Sequence, residues 1–299
     1  MAALLSLLMP GVGHAYCGNL ARGLAVGLLY GVAIPAVLGL LAYYGPASTV
    51  LFGFFMVAAT IGVVVAATVD AGRLARRTRP DYQPKVYNRP SIYLLLGVLI
   101  QGSSIGYALH VRGSLFEAFR VPAASEYPNI VPEDRILVDK TAYRQTAPSR
   151  GDTVLFKPPN ENWHGHYIKR VVAVAGDTVE MKDGDLYVNG EKLPRRAIAR
   201  SDINAAPVEV NGQVLEGDFF LEENGRRKYT IFLAAAESQA ALDYAAVVVP
   251  AHHCFVLGDN RNRSRDSRHF GPISYATIAG RADYVYWPAD TWMRFGSLH

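Results

Sequence analysis

Asp183-Gly184-Asp185-Leu186-Tyr187-Val188-Asn189-Gly190 sets a turn dipeptide on each side of one short run. Asp-Gly and Asn-Gly accept the positive φ angles of tight hairpin turns, and their spacing makes Asp185 to Val188 a strand that turns back at both ends. Neighbouring segments follow the same pattern. Arg135-Ile136-Leu137-Val138, Thr153-Val154-Leu155-Phe156, Tyr167 to Val174, Asp218 to Leu221 and Cys254 to Leu257 are short runs rich in β-branched and aromatic residues, the composition of strands. Asn211-Gly212 and Asn224-Gly225 supply further turn signals. The expected fold class is therefore mainly β, an antiparallel sheet domain over residues 111–299. Only Ala234 to Ala246 has a composition compatible with a helix.

Upstream of residue 110 the pattern changes. Gly23 to Tyr44 holds no charged residue, nor does Gly45 to Val69, and Gly45-Pro46 marks a turn between them. A third uncharged run, Ser91 to Leu109, carries Gln101, Ser103 and Ser104. A helix crosses the hydrocarbon core in roughly 20 residues, so three spans are expected, at about 23–44, 47–69 and 91–109. The competing reading of each is a helix buried in a soluble core. Between the last two, residues 70–90 carry Arg73, Arg76, Arg77, Arg79, Lys85 and Arg89 against Asp70 and Asp81. Basic loops stay in the cytoplasm, which sends the third span outward and places residues 111–299 on the outer face. Met1 to Met9 is apolar but too short to span, ends at Pro10-Gly11-Val12-Gly13 and lacks the positive start of a cleaved leader, so an interfacial or re-entrant segment is expected over residues 1–19. Residues 1–110 thus form a membrane region with the bilayer as partner.

The 299 residues carry a formal net charge of +4, without the basic stripe interleaved with aromatics that a nucleic-acid groove needs. Cys17 and Cys254 fall in different regions and are not expected to form a disulfide. Neither they nor His252 and His253 have the spacing of a zinc site, and no metal or cofactor is expected.

Three segments combine residues suited to catalysis. Phe119-Arg120-Val121-Pro122-Ala123-Ala124-Ser125-Glu126-Tyr127-Pro128-Asn129 sets a serine between two prolines just beyond the third span. By itself such a serine is ordinary turn chemistry. His166-Tyr167-Ile168-Lys169-Arg170-Val171-Val172 buries a lysine in an apolar strand, where alternation puts Tyr167, Lys169 and Val171 on one face and Ile168, Arg170 and Val172 on the other. A lysine there either reaches to the rim or stays desolvated, and burial lowers the pKa of an amine. An uncharged amine can take the proton of a serine hydroxyl, as histidine does in the Ser-His-Asp triad. The third segment, Gly258-Asp259-Asn260-Arg261-Asn262-Arg263-Ser264-Arg265-Asp266-Ser267-Arg268, follows an apolar strand and has the composition of a loop held by side-chain hydrogen bonds.

From about Phe116 onward these segments resemble the bacterial type I signal peptidases. The third is similar to that family's G-D-N-R-x-x-S-x-D-S-R with every specified position filled. Val131 to Lys140, Arg150 to Phe156, and Tyr167 to Val172 with Ala175-Gly176-Asp177 are further similar blocks in the family's order. The resemblance implies a membrane serine endopeptidase that removes signal peptides from secreted precursors, on the outer face of a bacterial cytoplasmic membrane and acting as a monomer. It implies Ser125 as nucleophile, Lys169 as general base, Ser264 as a hydrogen-bond partner orienting the amine, and Asp266 with Arg268 as a supporting ion pair. Gly258, Asp259 and Asn260 belong to the supporting loop. Precursors with small residues one and three positions before the cut would lie extended beside Phe119, Arg120, Val121, Pro122 and Ala123.

Two positions depart from the family pattern. Ala123 replaces a serine whose hydroxyl helps bind the oxyanion, leaving the Ser125 backbone N–H as the main donor. Glu126 replaces a methionine; a carboxylate turned inward would pair with Lys169 and oppose the mechanism, so Glu126 is expected to face solvent or meet an arginine. Those departures leave two other readings open: a silent homologue that binds precursors or organises secretion machinery, and a peptidase with a narrow substrate set.

Overall fold

The computed structural model describes residues 1–34, 36–37, 46–78, 82–83, 85–159, 165–210, 212–235 and 243–298. The chain divides into two compact units, Met1–Leu115 and Phe116–His299.

The first unit is helical. Short helices Ala2–Leu8 and Val12–Tyr16 are joined through Gly11, whose φ of 99° allows the sharp turn. Leu20–Leu28 is capped by the Asn19 side chain, which accepts the Arg22 N–H at 3.2 Å, and runs on into a π-helical turn at Leu29–Ala33. Longer helices cover Pro46–Arg77 and Pro90–Ser114. Among the described residues one segment, Val57–Arg77, is long and apolar enough to cross a membrane. All of 38–44, the later part of the first expected span, lies outside the described residues, as do Gly45, Arg79 and Asp81. The stretch expected as a loop from Asp70 begins as helix instead, up to Arg77. The Asp70 carboxylate accepts from Arg22 at 3.0 Å and lies 2.8 Å from His14 Nε2, and Arg76 and Arg77 suit the negative end of the helix dipole.

The second unit is antiparallel β. Its strands are β1 (Phe116–Arg120), β2 (Arg135–Asp139), β3 (Thr153–Phe156), β4 (Tyr167–Val174), β5 (Thr178–Lys182), β6 (Asp185–Val188), β7 (Glu191–Lys192), β8 (Arg195–Ile198), β9 (Glu209–Val210), β10 (Gln213–Val214), β11 (Gly217–Asn224), β12 (Arg227–Ala234), β13 (Tyr244–Val248), β14 (His253–Leu257), β15 (Ile273–Ser274), β16 (Ile278–Trp287) and β17 (Gly296–Ser297). The main sheet runs β1-β2-β16-β3-β4-β14-β15, with β17 added on β16. Smaller sheets run β13-β5-β6-β7 and β12-β11-β8. The hairpin signals act as expected. Asp183 and Gly184 take φ of 50° and 74° between β5 and β6, and Asn189 and Gly190 take 56° and 81° between β6 and β7.

At both ends the region Ala234 to Ala246 is strand rather than the helix its composition allows. Ala234 closes β12 and Tyr244 opens β13, while residues 236–242 and Asn211 of another expected turn lie outside the described residues. The longest strand, β16, was absent from the sequence reading because Gly280, Arg281 and Asp283 interrupt its apolar pattern. Arg281 and Asp283, two apart on one strand face, bond to each other at 2.5 Å, which lets Asp283 stay buried there.

Two apolar clusters frame the site. Val121, Ile130, Ile136, Val138, Leu155, Ile168, Ala282 and Val285 pack on one side. Tyr127, Phe219 and Phe232 meet edge to face or tilted in the other, with ring centroids 5.0 to 5.8 Å apart. Burying each such ring or branched chain contributes about 1.5–3 kcal/mol, enough to fix the turn that Tyr127 terminates.

Candidate active site

Strand β4 brings the lysine. Both of its faces are buried, so Lys169 and Arg170, pointing opposite ways, are 3% and 2% exposed. Arg170 is neutralised on its side: Nε and Nη2 each donate to Asp259 at 2.7 Å, Nη1 donates to the Gly151 carbonyl at 2.8 Å, and the guanidinium lies 4.3 Å from the Tyr229 ring centre. Lys169 turns to the other side, toward a single helical turn at Ala124–Glu126.

That turn has a local cause. Ala123 is extended after Pro122, with φ −119° and ψ 153°, and buried Tyr127 anchors the far end in its aromatic cluster. The next loop clamps it from below. Asn260 donates its backbone N–H to the Ser125 carbonyl and its side-chain amide to the Ala124 carbonyl, both at 3.1 Å. Held this way, Ser125 Oγ stands 2.6 Å from Lys169 Nζ.

The loop 258–268 leaves β14 at Leu257, which lies opposite Arg170 in the sheet. β12 holds it from the other side, through Phe232 N–H to the Asp259 carbonyl at 2.9 Å and Arg261 N–H to the Phe232 carbonyl at 3.0 Å. Asp266 accepts the Gly258 N–H at 3.0 Å and two bonds from the Arg268 guanidinium at 2.8 and 2.7 Å. Burial works against ionisation of Asp266, yet these bonds outweigh it and hold the carboxyl below the ordinary carboxylate range.

Two expectations need correction. Ser264 does not orient the lysine: among the described residues its buried hydroxyl makes no hydrogen bond to the amine and serves the Asp266 carboxyl instead. Glu126 faces neither solvent nor an arginine; it is fully buried, and its Oε1 lies 3.1 Å from Lys169 Nζ. The turn carries consecutive residues 125 and 126 to the same amine, and the carboxyl is shut away from water. Burial pushes its pKa up to about 8, against the pull of Lys169 and Arg170, with Asp259 adding to the rise.

The sequence reading missed several supporting residues. Arg261, 1% exposed, donates to Glu222 at 2.9 and 2.5 Å, and Tyr229 donates to the same carboxylate at 2.9 Å. Asn129 donates to Asp259 at 2.7 Å and to the Thr230 carbonyl at 2.6 Å. Arg261 and Asn129 stand inside the segments already singled out, but Glu222 belongs to β11, a strand with no catalytic signal. Val121 continues the line of β1 and pairs with the 133–134 turn, its N–H donating to the Asp134 carbonyl at 2.9 Å. Among the described residues β1 pairs only with β2, which leaves its other edge without a strand partner there.

The family model described as "Signal peptidase, peptidase S26" matches residues 97–287. A probable signal peptidase I-2 of Synechocystis is 31% identical over 60% of this chain and 67% of its own length. A signal peptidase I of Bacillus licheniformis is 34% identical over 60% of this chain and 82% of its own. A signal peptidase I crystal structure from Enterococcus faecalis is 31% identical, covers 46% of this chain and 97% of its own, and superposes with a TM-score of 0.28.

Proposed function

Since this chain belongs to the signal peptidase family, peptidase S26, we propose that it removes signal peptides with Ser125 as nucleophile and Lys169 as general base. The protein is a serine endopeptidase acting on signal-peptide-bearing precursors. The 2.6 Å separation of Ser125 Oγ and Lys169 Nζ in a buried setting is the observation that carries the assignment of the two residues.

The uncharged amine takes the hydroxyl proton as Ser125 Oγ attacks the scissile carbonyl carbon. The resulting ammonium gives that proton to the leaving amine, the peptide bond breaks, and an ester to Ser125 remains. Water enters, loses a proton to the same amine, and attacks the ester. Ser125 leaves with its proton restored. Substrate lies extended along the open edge of β1 and past Pro122 and Ala123, adding a strand to the sheet, with small residues one and three positions before the cut. With alanine at 123, the developing oxyanion relies on the Ser125 backbone N–H.

Residues 1–110 anchor the enzyme in the bilayer through three spans and residues 111–299 work on the outer face, the chain acting as a monomer. Supporting the anchor, Phe55, Val57, Ile61, Val65, Leu94, Val98 and Ile105 are all more than half exposed, an apolar surface suited to lipid rather than water. The excess of arginine from Arg73 to Arg89 supports the orientation.

The test is turnover of a precursor peptide with alanines one and three positions before the cut by the full-length chain in detergent. Ser125→Ala and Lys169→Ala should each fall to background, and normal turnover by either refutes the assignment. An inactive wild-type chain that still binds the peptide would favour a silent homologue.

A further inference from the structure

Among the described residues the amine of Lys169 has three polar neighbours. Nζ lies 2.6 Å from Ser125 Oγ, 2.5 Å from the Ile168 carbonyl oxygen and 3.1 Å from Glu126 Oε1. An uncharged amine offers two hydrogens and one lone pair. The Ile168 carbonyl can only accept, so it takes one hydrogen. A hydroxyl can donate, so Ser125 is the neighbour suited to the lone pair, provided that a second acceptor takes the remaining hydrogen.

We propose that Glu126 is that acceptor: a positioning residue that, with the Ile168 carbonyl, turns the lone pair of Lys169 onto the Ser125 hydroxyl, the task the family resemblance assigns to Ser264. The inference rests on the Ser125 and Lys169 reading above. Ser264 leaves the task open, since among the described residues its hydroxyl makes no bond to the amine. Glu126 is well placed for it. It shares one helical turn with the nucleophile, and its own carbonyl accepts the Ile130 N–H at 3.0 Å, so the carboxyl and Ser125 approach the amine as one rigid unit.

Its second oxygen explains how a carboxyl can sit there without opposing catalysis. Glu126 Oε2 is buried and, among the described residues, bonds to no protein group. A bare carboxylate oxygen in such a place is costly, whereas a protonated one is not. Burial favours the protonated form to about pH 8, so near neutrality Oε1 acts as the carbonyl oxygen of a neutral acid. It accepts an N–H without fixing the amine as ammonium. The other charges acting on it, Arg170 and Asp259, are paired with each other at 2.7 Å. Ionisation above that range replaces the neutral acceptor with a carboxylate, whose stronger hydrogen bond draws the amine away from Ser125.

The experiment compares Glu126→Gln, Glu126→Met and Ser264→Ala with wild type in precursor-peptide cleavage across pH 5.5 to 10, the pH range being about three units either side of the Glu126 midpoint at most. Glutamine keeps an uncharged acceptor: its kcat/KM should match wild type within about threefold below pH 7 and exceed it above about pH 8. Methionine fills the space without accepting a hydrogen bond, and kcat should fall about a hundredfold at every pH, the effect of a misaligned reacting group. Melting curves in detergent check that each variant is folded; should Glu126→Met fail to fold, the Glu126→Gln pH profile decides alone. Wild-type kcat in Glu126→Met, identical pH profiles for Glu126→Gln and wild type, or a larger loss in Ser264→Ala than in Glu126→Met would each overturn the proposal. Turnover by Ser125→Ala or Lys169→Ala sinks the dyad instead, whereas inactive dyad variants beside an intact Glu126→Met sink this inference alone.

Discussion

A methyl group on Gly258 would stand 2.6 Å from the carbonyl oxygen of Ser125 and 2.2 Å from the hydroxyl of Ser264. The loop that follows β14 therefore packs directly under the nucleophile, with no room for any side chain at its first residue. Gly258→Ala must move backbone as well as a side chain. Overpacking of this kind costs about 1–3 kcal/mol, and the displaced turn should lower kcat by about a hundredfold. Cleavage rates and denaturant unfolding of the detergent-solubilised chain check both; unchanged kcat would mean that the turn does not depend on this contact.

Glu126 also makes stability depend on pH. Its folded pKa of about 8 lies above the ordinary 4.5, so the folded chain holds a proton that the unfolded chain has lost between those values. Stability from this group thus declines as pH rises through that window, by a few kcal/mol in order of magnitude. Asp266 behaves oppositely: its pKa is depressed, so its contribution is present above the ordinary carboxylate range and is lost as pH falls through its folded value. Melting temperatures should peak on the acid side of neutrality. The advantage of Glu126→Gln over wild type should widen from pH 5 to pH 9, and a constant gap would place the carboxyl outside the buried site.

Arg170 and Asp259 are 3% and 1% exposed at the side chain, and each is the other's charged partner. Removing one leaves a buried charge, which typically costs about 3–5 kcal/mol. Asp259→Asn should show a loss of that size in denaturant unfolding. Arg170→Met combined with Asp259→Leu should recover part of it, because the charge that needed a partner is gone, although Asn129 then loses an acceptor. A double variant no better than the single would assign the loss to the Asn129 bond instead.

Legibility of the sequence follows what each signal measures. Hairpins bounded by Asp-Gly and Asn-Gly were readable because positive φ is a local demand on local residues. The composition of loop 258–268 and the lysine inside an apolar strand were readable for a similar reason, each being rare unless something pairs with it. Direction was not readable. Nothing local tells whether Glu126 turns inward, since that depends on Lys169, 43 residues away. Ser264 fits the family spacing, yet its hydroxyl makes no bond to the amine, because the position of a loop atom is fixed by packing against Gly258 rather than by its place in a motif. β16 was hidden because Arg281 and Asp283 satisfy each other across one strand face, so the strand tolerates charges that an alternation test rejects.

The excess of arginine between residues 73 and 89 makes a prediction about sidedness that thiol labelling can read. Cys254 is wholly buried and its thiol is pushed up to about 12, mainly by burial, so it stays unreactive in the folded chain. Replacing Cys17 with alanine then gives a silent background. Arg76 and Arg196 are both exposed, the first in the Pro46–Arg77 helix and the second on β8. In sealed right-side-out membrane vesicles a membrane-impermeant maleimide should label Arg196→Cys at once and Arg76→Cys only after detergent is added. The opposite pattern would put the serine and lysine on the cytoplasmic side, where precursors have not yet crossed the membrane, and labelling of both before detergent would remove the membrane between them.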